Sequence, residues 1–383
     1  MRLRQLPRAT WILFGGTFVN RFGTFVMPML ALYLTRNGYS IAQAGIAVSA
    51  YGAGHIASSM LGGHLADRFG RRNTIALSMF ASGIAMLALS QARGYPAILA
   101  CTFFAGSAAE LYRPASSALI GDLVAPEQRV LAFGIYRFAV NLGVAAGPAT
   151  AGFLADRSFF YVFLGDAVTS IAYGFIALIA LPQGVRTAAH EEIAGEGYRA
   201  ALADRRFVMF LLATLCLTWV DFQMTSTLPI HVQRQGFSAL HYGMLISLNG
   251  ALIVIFELAL TMWTQRLPPQ PLIAIGYFLN CIGFAFTGLA RTMPALAVTV
   301  VIWTIGEMIY APVTGAYVTN LAPERLRGRY HGLYVMAYSI GLMLGPAIGT
   351  AVFERSETAL WTACGVSGVV AAMLALVKPR VLI

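Results

Sequence analysis

The sequence predicts an all-α membrane protein, with twelve transmembrane helices arranged in two homologous six-helix halves. Three observations carry that expectation. Of the 383 residues, 58% are hydrophobic and only 11% charged, with a mean hydropathy of +0.70, well outside the range of soluble globular chains. Apolar runs of about 20 residues or more, long enough to cross a bilayer, recur along the whole chain. The second half of the chain repeats the first at an offset of 198 residues.

The expected spans are 10–34, 42–66, 73–92, 95–122, 129–154, 159–181, 206–232, 240–262, 269–290, 293–320, 328–352 and 358–378. The first follows Arg2, Arg4 and Arg8, but it is too long for the apolar region of a signal peptide and reads as a retained helix. Orientation comes from the basic residues, which collect in cytoplasmic loops. With the N-terminus inside, 17 of the 26 Lys and Arg fall on the cytoplasmic side, among them Arg68, Arg71, Arg72, Arg205, Arg206, Arg325, Arg327 and Arg329. Six fall outside: Arg36, Arg93, Arg157, Arg234, Arg291 and Arg355. The net charge of +10 is thus explained by topology and by attraction to anionic lipid, and no nucleic-acid partner is expected.

Cys101, Cys216, Cys281 and Cys364 sit in apolar runs without metal-like spacing, so they read as packing residues; neither a metal nor another cofactor is expected. A Gly-Lys-Ser/Thr phosphate loop is missing, which argues against ATP as a direct energy source.

The repeat at 198 residues pairs Tyr112 with Tyr310, Pro114 with Pro312, Arg129 with Arg327, Tyr136 with Tyr334, Gly143 with Gly341 and Gly147-Pro148 with Gly345-Pro346. It also pairs Arg36 with Arg234, Gly38 with Gly236, Gly45 with Gly243 and Ser49 with Ser247. Two halves follow, residues 1–182 and 207–383, joined by a polar cytoplasmic linker at 183–206, and the substrate path is expected between them.

Between the second and third spans, Gly63-His64-Leu65-Ala66-Asp67-Arg68-Phe69-Gly70-Arg71-Arg72 sets one carboxylate and three guanidinium groups between two apolar runs. This decapeptide resembles the signature loop of the major facilitator superfamily, G-x-L-a-D-r-x-G-r-r. The resemblance extends over the entire chain, although the equivalent place in the second half, Thr264 to Pro268, keeps only Arg266. It implies that Gly63, Asp67, Arg68, Gly70, Arg71 and Arg72 form a conformational gate, with Asp67 facing Arg327 or Arg329 near the start of helix 11. A second segment in helix 5, built on Gly143, Gly147, Pro148 and Gly152, is similar to the antiporter motif of drug:proton exporters, with Ala151 in place of one Gly. Small residues at this spacing also serve plain helix packing, and Gly341, Gly345 and Pro346 repeat the pattern in helix 11.

The resemblance implies a secondary active transporter working by alternating access, not an enzyme. Its expected partners are a small-molecule substrate, protons and the lipid bilayer, in a monomer. The expected activity is proton-coupled antiport exporting amphipathic drugs or metabolites. The alternative is proton-coupled import of a specific polar or anionic solute, and a signalling or lipid-scrambling protein on a degenerate transporter fold is a third class. Resemblance to compact bacterial exporters, with very short loops, implies a bacterial inner membrane and cytoplasmic termini.

Site candidates are charges that hydrocarbon would otherwise exclude, since each costs about 2.5–3.5 kcal/mol at mid-membrane. Eight qualify: Arg21, Glu110, Arg113, Arg137, Asp166, Asp221, Glu257 and Glu307. Arg21, Glu110, Asp221 and Glu307 lie near the middle of their spans and are expected in one layer. Glu110 and Arg113, three apart, can pair directly, either as a structural ion pair or as a switch thrown by proton or substrate. The repeat puts Ala311 and Val335 opposite Arg113 and Arg137, so neither arginine is needed to build a half. Asp166 reads as structural, and Glu257 as a gate residue or proton exit. The expected cavity lining includes Asn20, Phe22, Tyr112, Tyr136, Asn141, Trp219, Trp303 and Tyr310, with helix packing the competing role for most of the aromatics. His55 reads as packing rather than a proton relay.

Overall fold

The computed structural model describes residues 6–125, 128–184, 196–264, 266–323 and 326–377. In the first half the helices are α1 (Arg8–Phe22), α2 (Val26–Arg36), α3 (Ile41–Phe69), α4 (Arg71–Gln91), α5 (Tyr95–Glu110), α6 (Tyr112–Leu123), α7 (Arg129–Arg157) and α8 (Phe159–Ala180). A short α9 (Glu196–Ala203) precedes α10 (Arg205–Asp221), α11 (Gln223–Ser226), α12 (Leu228–Arg234), α13 (Ala239–Thr264), α14 (Pro269–Thr287), α15 (Met293–Leu321), α16 (Arg327–Arg355) and α17 (Glu357–Ala375). Among the described residues nine helices are long and apolar enough to cross a membrane. They coincide with nine of the twelve expected spans; the other three fall on α1 with α2, on α3, and on α5 with α6. Large apolar side chains such as Ile179 (82% exposed) and Leu289 (78%) point outward, as a lipid-facing surface requires.

Three expected spans are broken rather than continuous, and each break is held by a polar side chain that bonds to another helix. The first breaks after Phe22, where the backbone N–H groups of Phe25 and Val26 both donate to Oδ2 of Asp166, at 3.0 and 3.1 Å. Asp166 therefore caps α2 from α8, in keeping with the structural role expected of it. The fourth span breaks at Leu111, just before Pro114, whose missing N–H cannot continue the ladder. Ser78 of α4 satisfies both sides of this break: its Oγ donates to the Ala108 carbonyl (2.6 Å) and accepts from the Tyr112 N–H (3.1 Å). The seventh breaks around Gln223, whose amide nitrogen donates to the carbonyls of Trp219 (2.6 Å) and, on α16, Gly345 (3.0 Å).

The half-to-half repeat is a geometric one. The N–H of Ala149, after Pro148, donates to Ser247 of α13 at 3.0 Å; 198 residues away, the N–H of Ala347, after Pro346, meets Ser49 of α3 at the same distance. These contacts join α7 to α13 and α16 to α3. Gly243 lets α13 approach so closely that a Cβ there would stand 2.2 Å from the Pro148 carbonyl oxygen. At the adjoining end Asp156 accepts the N–H groups of Ala239 and Leu240, both at 3.0 Å, and so caps α13 from α7, with Arg36 3.8 Å away. This end is closed. Gly243→Leu must force α13 off α7, so a cysteine placed at Leu240 in a background without native cysteines should react several-fold faster with a membrane-impermeant thiol reagent. Unchanged labelling would show that the contact does not hold this end shut.

The opposite end carries Arg68, Arg71, Arg72, Arg205, Arg206, Arg327 and Arg329. The linker is helical there in part. Tyr330 of α16 donates to Asp204 at 3.2 Å, Asp204 caps α10 through the N–H groups of Arg206 and Phe207, and the Arg329 guanidinium lies 6.0 Å over the Tyr198 ring. α9 is thus bound to the beginning of α16.

Candidate functional site

The break at Leu111 leaves Glu110 as the last residue of α5 and puts Arg113 on the next helix, at the level where α1 ends. Around the Glu110 carboxylate stand Arg21 (Nη2 to Oε1, 3.3 Å), Arg113 (Nε to Oε2, 3.1 Å) and His55 of α3 (Nε2 to Oε2, 3.6 Å). Arg21 also lies over the Tyr112 ring, 5.5 Å from its centre. Two guanidinium groups against one carboxylate leave an excess of one positive charge. Glu110 and Arg21 are buried, but the Arg113 side chain is 53% exposed. It opens into a chamber of about 330 Å³ that Arg21, Tyr51 and His55 line from the first half, and Phe222, Tyr334 and Tyr338 from the second.

The acidic residues of α10 and α15 are in a different setting. Asp221 accepts from Tyr338 (3.3 Å) and from the amide nitrogen of Asn280 on α14 (3.4 Å). Glu307 accepts from the amide nitrogen of Asn249 on α13 at 2.9 Å, and the same nitrogen reaches Thr304. Among the described residues neither carboxylate has a basic group within ion-pairing distance. The four charges expected in one layer thus divide into a paired set, Arg21 with Glu110, and an unpaired set, Asp221 and Glu307.

A third set joins the halves. Arg137 of α7 pairs with Glu257 of α13, and Asn141 donates to the same carboxylate at 3.4 Å. This pair borders a separate cavity of about 250 Å³ between α7 and α13.

Towards the arginine-rich end, Ile56, Leu202, Leu333 and Met336 line an apolar vestibule of about 740 Å³. Val335 and Ser339 line both this vestibule and the charged chamber, so the two adjoin.

Most of the aromatics proposed for the cavity lie in helix packing. Tyr112 is fully buried against Tyr173, Tyr136 is tilted against Phe14, Trp303 is stacked on Phe284, and Tyr310 meets Tyr277 edge-on. The indole of Trp219 donates to Ser367 on α17, while Phe22 lies between Phe18 and Phe25. Asn20 is buried at the end of α1. Gly143 and Gly147 press against Arg21 and Phe22, and Gly152 presses against Ala239, so the helix-5 motif packs on both α1 and α13.

In the gate loop, Gly70 takes a positive φ of 88°, a conformation that favours glycine. Arg71 is buried. It lies 3.5 Å from Asp122 and donates to the Ala66 carbonyl, and its backbone N–H donates to the Gln183 carbonyl. Arg68 lies over the Phe69 ring, and Arg72 donates to Asn73. The side chain of Asp67, the surroundings of Gly63, and Arg325 lie outside the described residues, and with them the expected contact of Asp67.

His55, Asn249, Asn280, Tyr338 and Gln223 were not among the sequence-derived site residues. A search for amides and imidazoles at mid-span, rather than for formal charges alone, finds all but Tyr338.

The sequence profile of the Major Facilitator Superfamily matches residues 13–346 and, in a second alignment, 236–382. The chain belongs to this superfamily. Major facilitator relatives include the uncharacterized MFS-type transporter YttB of Bacillus subtilis (strain 168), 29% identical over 91% of this chain and 89% of that one. The chain is also similar to the Na(+), Li(+), K(+)/H(+) antiporter of Planococcus maritimus (24% identical, 90% of each chain covered). The multidrug resistance protein MdtH of Aeromonas salmonicida (strain A449) is 26% identical, with 97% of this chain and 95% of that one covered. Among solved structures, the peptide transporter POT in complex with sulfate superposes with a TM-score of 0.83 at 18% identity, over 98% of this chain and 95% of that one, and so shares the fold. The protein is therefore a multi-pass membrane transporter of small molecules and not an enzyme.

Proposed function

We propose that the protein is a proton-coupled antiporter that exports amphipathic compounds across a bacterial inner membrane by alternating access, with residues 1–182 and 207–383 rocking as two halves. The observation that carries this is the division of the buried charges. Glu110 sits between two guanidinium groups, and removing its charge would strand both. Asp221 and Glu307 have only neutral donors beside them, so an arriving proton or cation is what can neutralise them. Coupling is assigned to these two residues rather than to Glu110. Competition between proton and substrate for that neutralising place is what exchange requires.

The apolar vestibule supports an amphipathic cargo, and the adjoining charged chamber offers a place for a polar head. The arginine-rich end is assigned to the cytoplasm, together with both termini. A vestibule lying towards that end, with α7 and α13 joined at the other, suits loading from inside. The names of the multidrug resistance and antiporter relatives agree with this direction. The protein is assigned as a monomer.

The test is proton movement in inverted vesicles holding an acid interior, with candidate amphiphiles added one at a time. Substrate-triggered proton release is expected, and Glu307→Gln should abolish it while leaving substrate binding in place. Release that persists in Glu307→Gln would remove the coupling role. A second function, uptake of a polar or anionic solute with protons, is favoured by the half-exposed Arg113 guanidinium, and silence across all amphiphiles would select it.

A further inference from the structure

Asn280 lies in the middle of α14 and is completely buried. Gly276 and Gly306 bring α14 and α15 so close that a Cβ on Gly306 would stand 2.4 Å from the Asn280 nitrogen, which presses the residue against α15. Its amide nitrogen is 3.4 Å from Oδ1 of Asp221 and 3.5 Å from the carbonyl oxygen of Trp303. Both distances are long for N–H···O bonds, whose usual length is about 2.9–3.0 Å. The other end of the amide, Oδ1, is buried without any hydrogen-bond partner. A buried amide with two weak donations and an orphaned acceptor is poorly served by the protein alone.

A half-turn of the amide exchanges its oxygen and nitrogen. Three oxygens then converge: that of Asn280, now where the nitrogen stood, with Asp221 Oδ1 3.4 Å and the Trp303 carbonyl 3.5 Å from that position. Oxygens bound at right angles to a hard cation at about 2.3–2.6 Å lie about 3.3–3.7 Å apart, which is the spacing found here. Spacings that are long for a hydrogen bond suit an ion between the oxygens.

Charge decides the valence. Asp221 contributes the one carboxylate among these three oxygens, and Glu307 is turned to Asn249. A monovalent ion leaves the site neutral, whereas a divalent ion leaves a buried positive charge. Among the described residues no cluster of His, Cys, Asp and Glu is suited to a transition metal. Access is available as well. Tyr338, which donates to Asp221, lines the charged chamber, so an ion in that chamber is one side chain away.

We infer that Asp221, Asn280 and the Trp303 carbonyl form a binding site for a bare monovalent cation of sodium size, so that Na+ occupies the coupling carboxylate in place of a proton. The coupling role of Asp221 rests on the function proposed above; the site itself rests on the geometry.

The experiment uses the detergent-purified full-length protein at constant pH and ionic strength, with Na+ replacing choline while tryptophan emission is followed. Trp303 belongs to the site, so a saturable change is expected. Asp221→Asn and Asn280→Leu should weaken it roughly 10-fold or more, as loss of a ligand or its support does. Asn280→Asp, nearly the same shape, keeps the fold and adds an anionic oxygen, and should tighten Na+ binding. An emission change that survives Asp221→Asn overturns the site. So does a flat response in both the natural protein and Asn280→Asp. Absent Na+ binding with intact substrate-triggered proton release removes this inference and leaves the antiport function standing. Na+ binding without any proton movement does the reverse.

Discussion

Glu110→Ala is expected to destabilise the protein more than any other single charge substitution among the site residues, by about 3–5 kcal/mol, because it strands the enclosed Arg21 guanidinium. Arg21 and Arg113 both rely on this carboxylate, and Arg21 is almost fully enclosed. A guanidinium left in that pocket has the face of Tyr112 and no remaining anion among the described residues. Replacing both partners, as in Arg21→Met with Glu110→Met, should recover most of the loss, since a buried pair exchanged for apolar side chains is often close to neutral. Arg113 tolerates this because it reaches the chamber. The unfolding midpoint in detergent, measured for the two single variants and the double, checks the claim. Equal midpoints for Glu110→Ala and the natural protein would mean that the cluster is not held by this carboxylate.

Asp166→Ala should rank second, costing about 1–3 kcal/mol, because the buried Val26 N–H is left without an acceptor while Phe25 keeps the Gly23 carbonyl at 2.7 Å. Asp166 Oδ2 accepts both Phe25 and Val26, and it is what allows the first span to break at mid-membrane. Asp166→Asn keeps an oxygen in the same place and should lose much less. The break positions Arg21 at the end of α1, so substrate-triggered proton release should fall with stability in the alanine variant and persist in the asparagine one. Identical stability of the two variants would rule out the capping role.

Helix continuity shows why the spans were legible and their interruptions were not. Apolar runs record that a segment prefers hydrocarbon, which is a property of its own residues. A break needs a partner on another segment: Asp166 and Ser78 supply one from 141 and 34 residues away, and Gln223, at its own break, finds the Gly345 carbonyl 122 residues on. The site shows the same division. All eight intramembrane charges could be picked out by their cost, but their partners could not. Glu110 and Arg113 pair through helical spacing, whereas Arg137 finds Glu257 across 120 residues. The aromatics were the least legible, because Tyr112, Trp303 and Tyr310 have the same composition whether they face a cavity or a helix.

By itself the sequence determined the membrane setting, the doubled architecture, the superfamily and the set of costly charges. Each of these follows from residue types and spacings that do not depend on distant contacts. Only the tertiary structure decided which carboxylates are neutralised and which are left to neutral amides, where α7 and α13 are joined, and where an apolar vestibule adjoins a charged chamber. Those are properties of pairs of helices, and in a low-dielectric interior the energy of a charge is set by its few nearest neighbours rather than by its own identity.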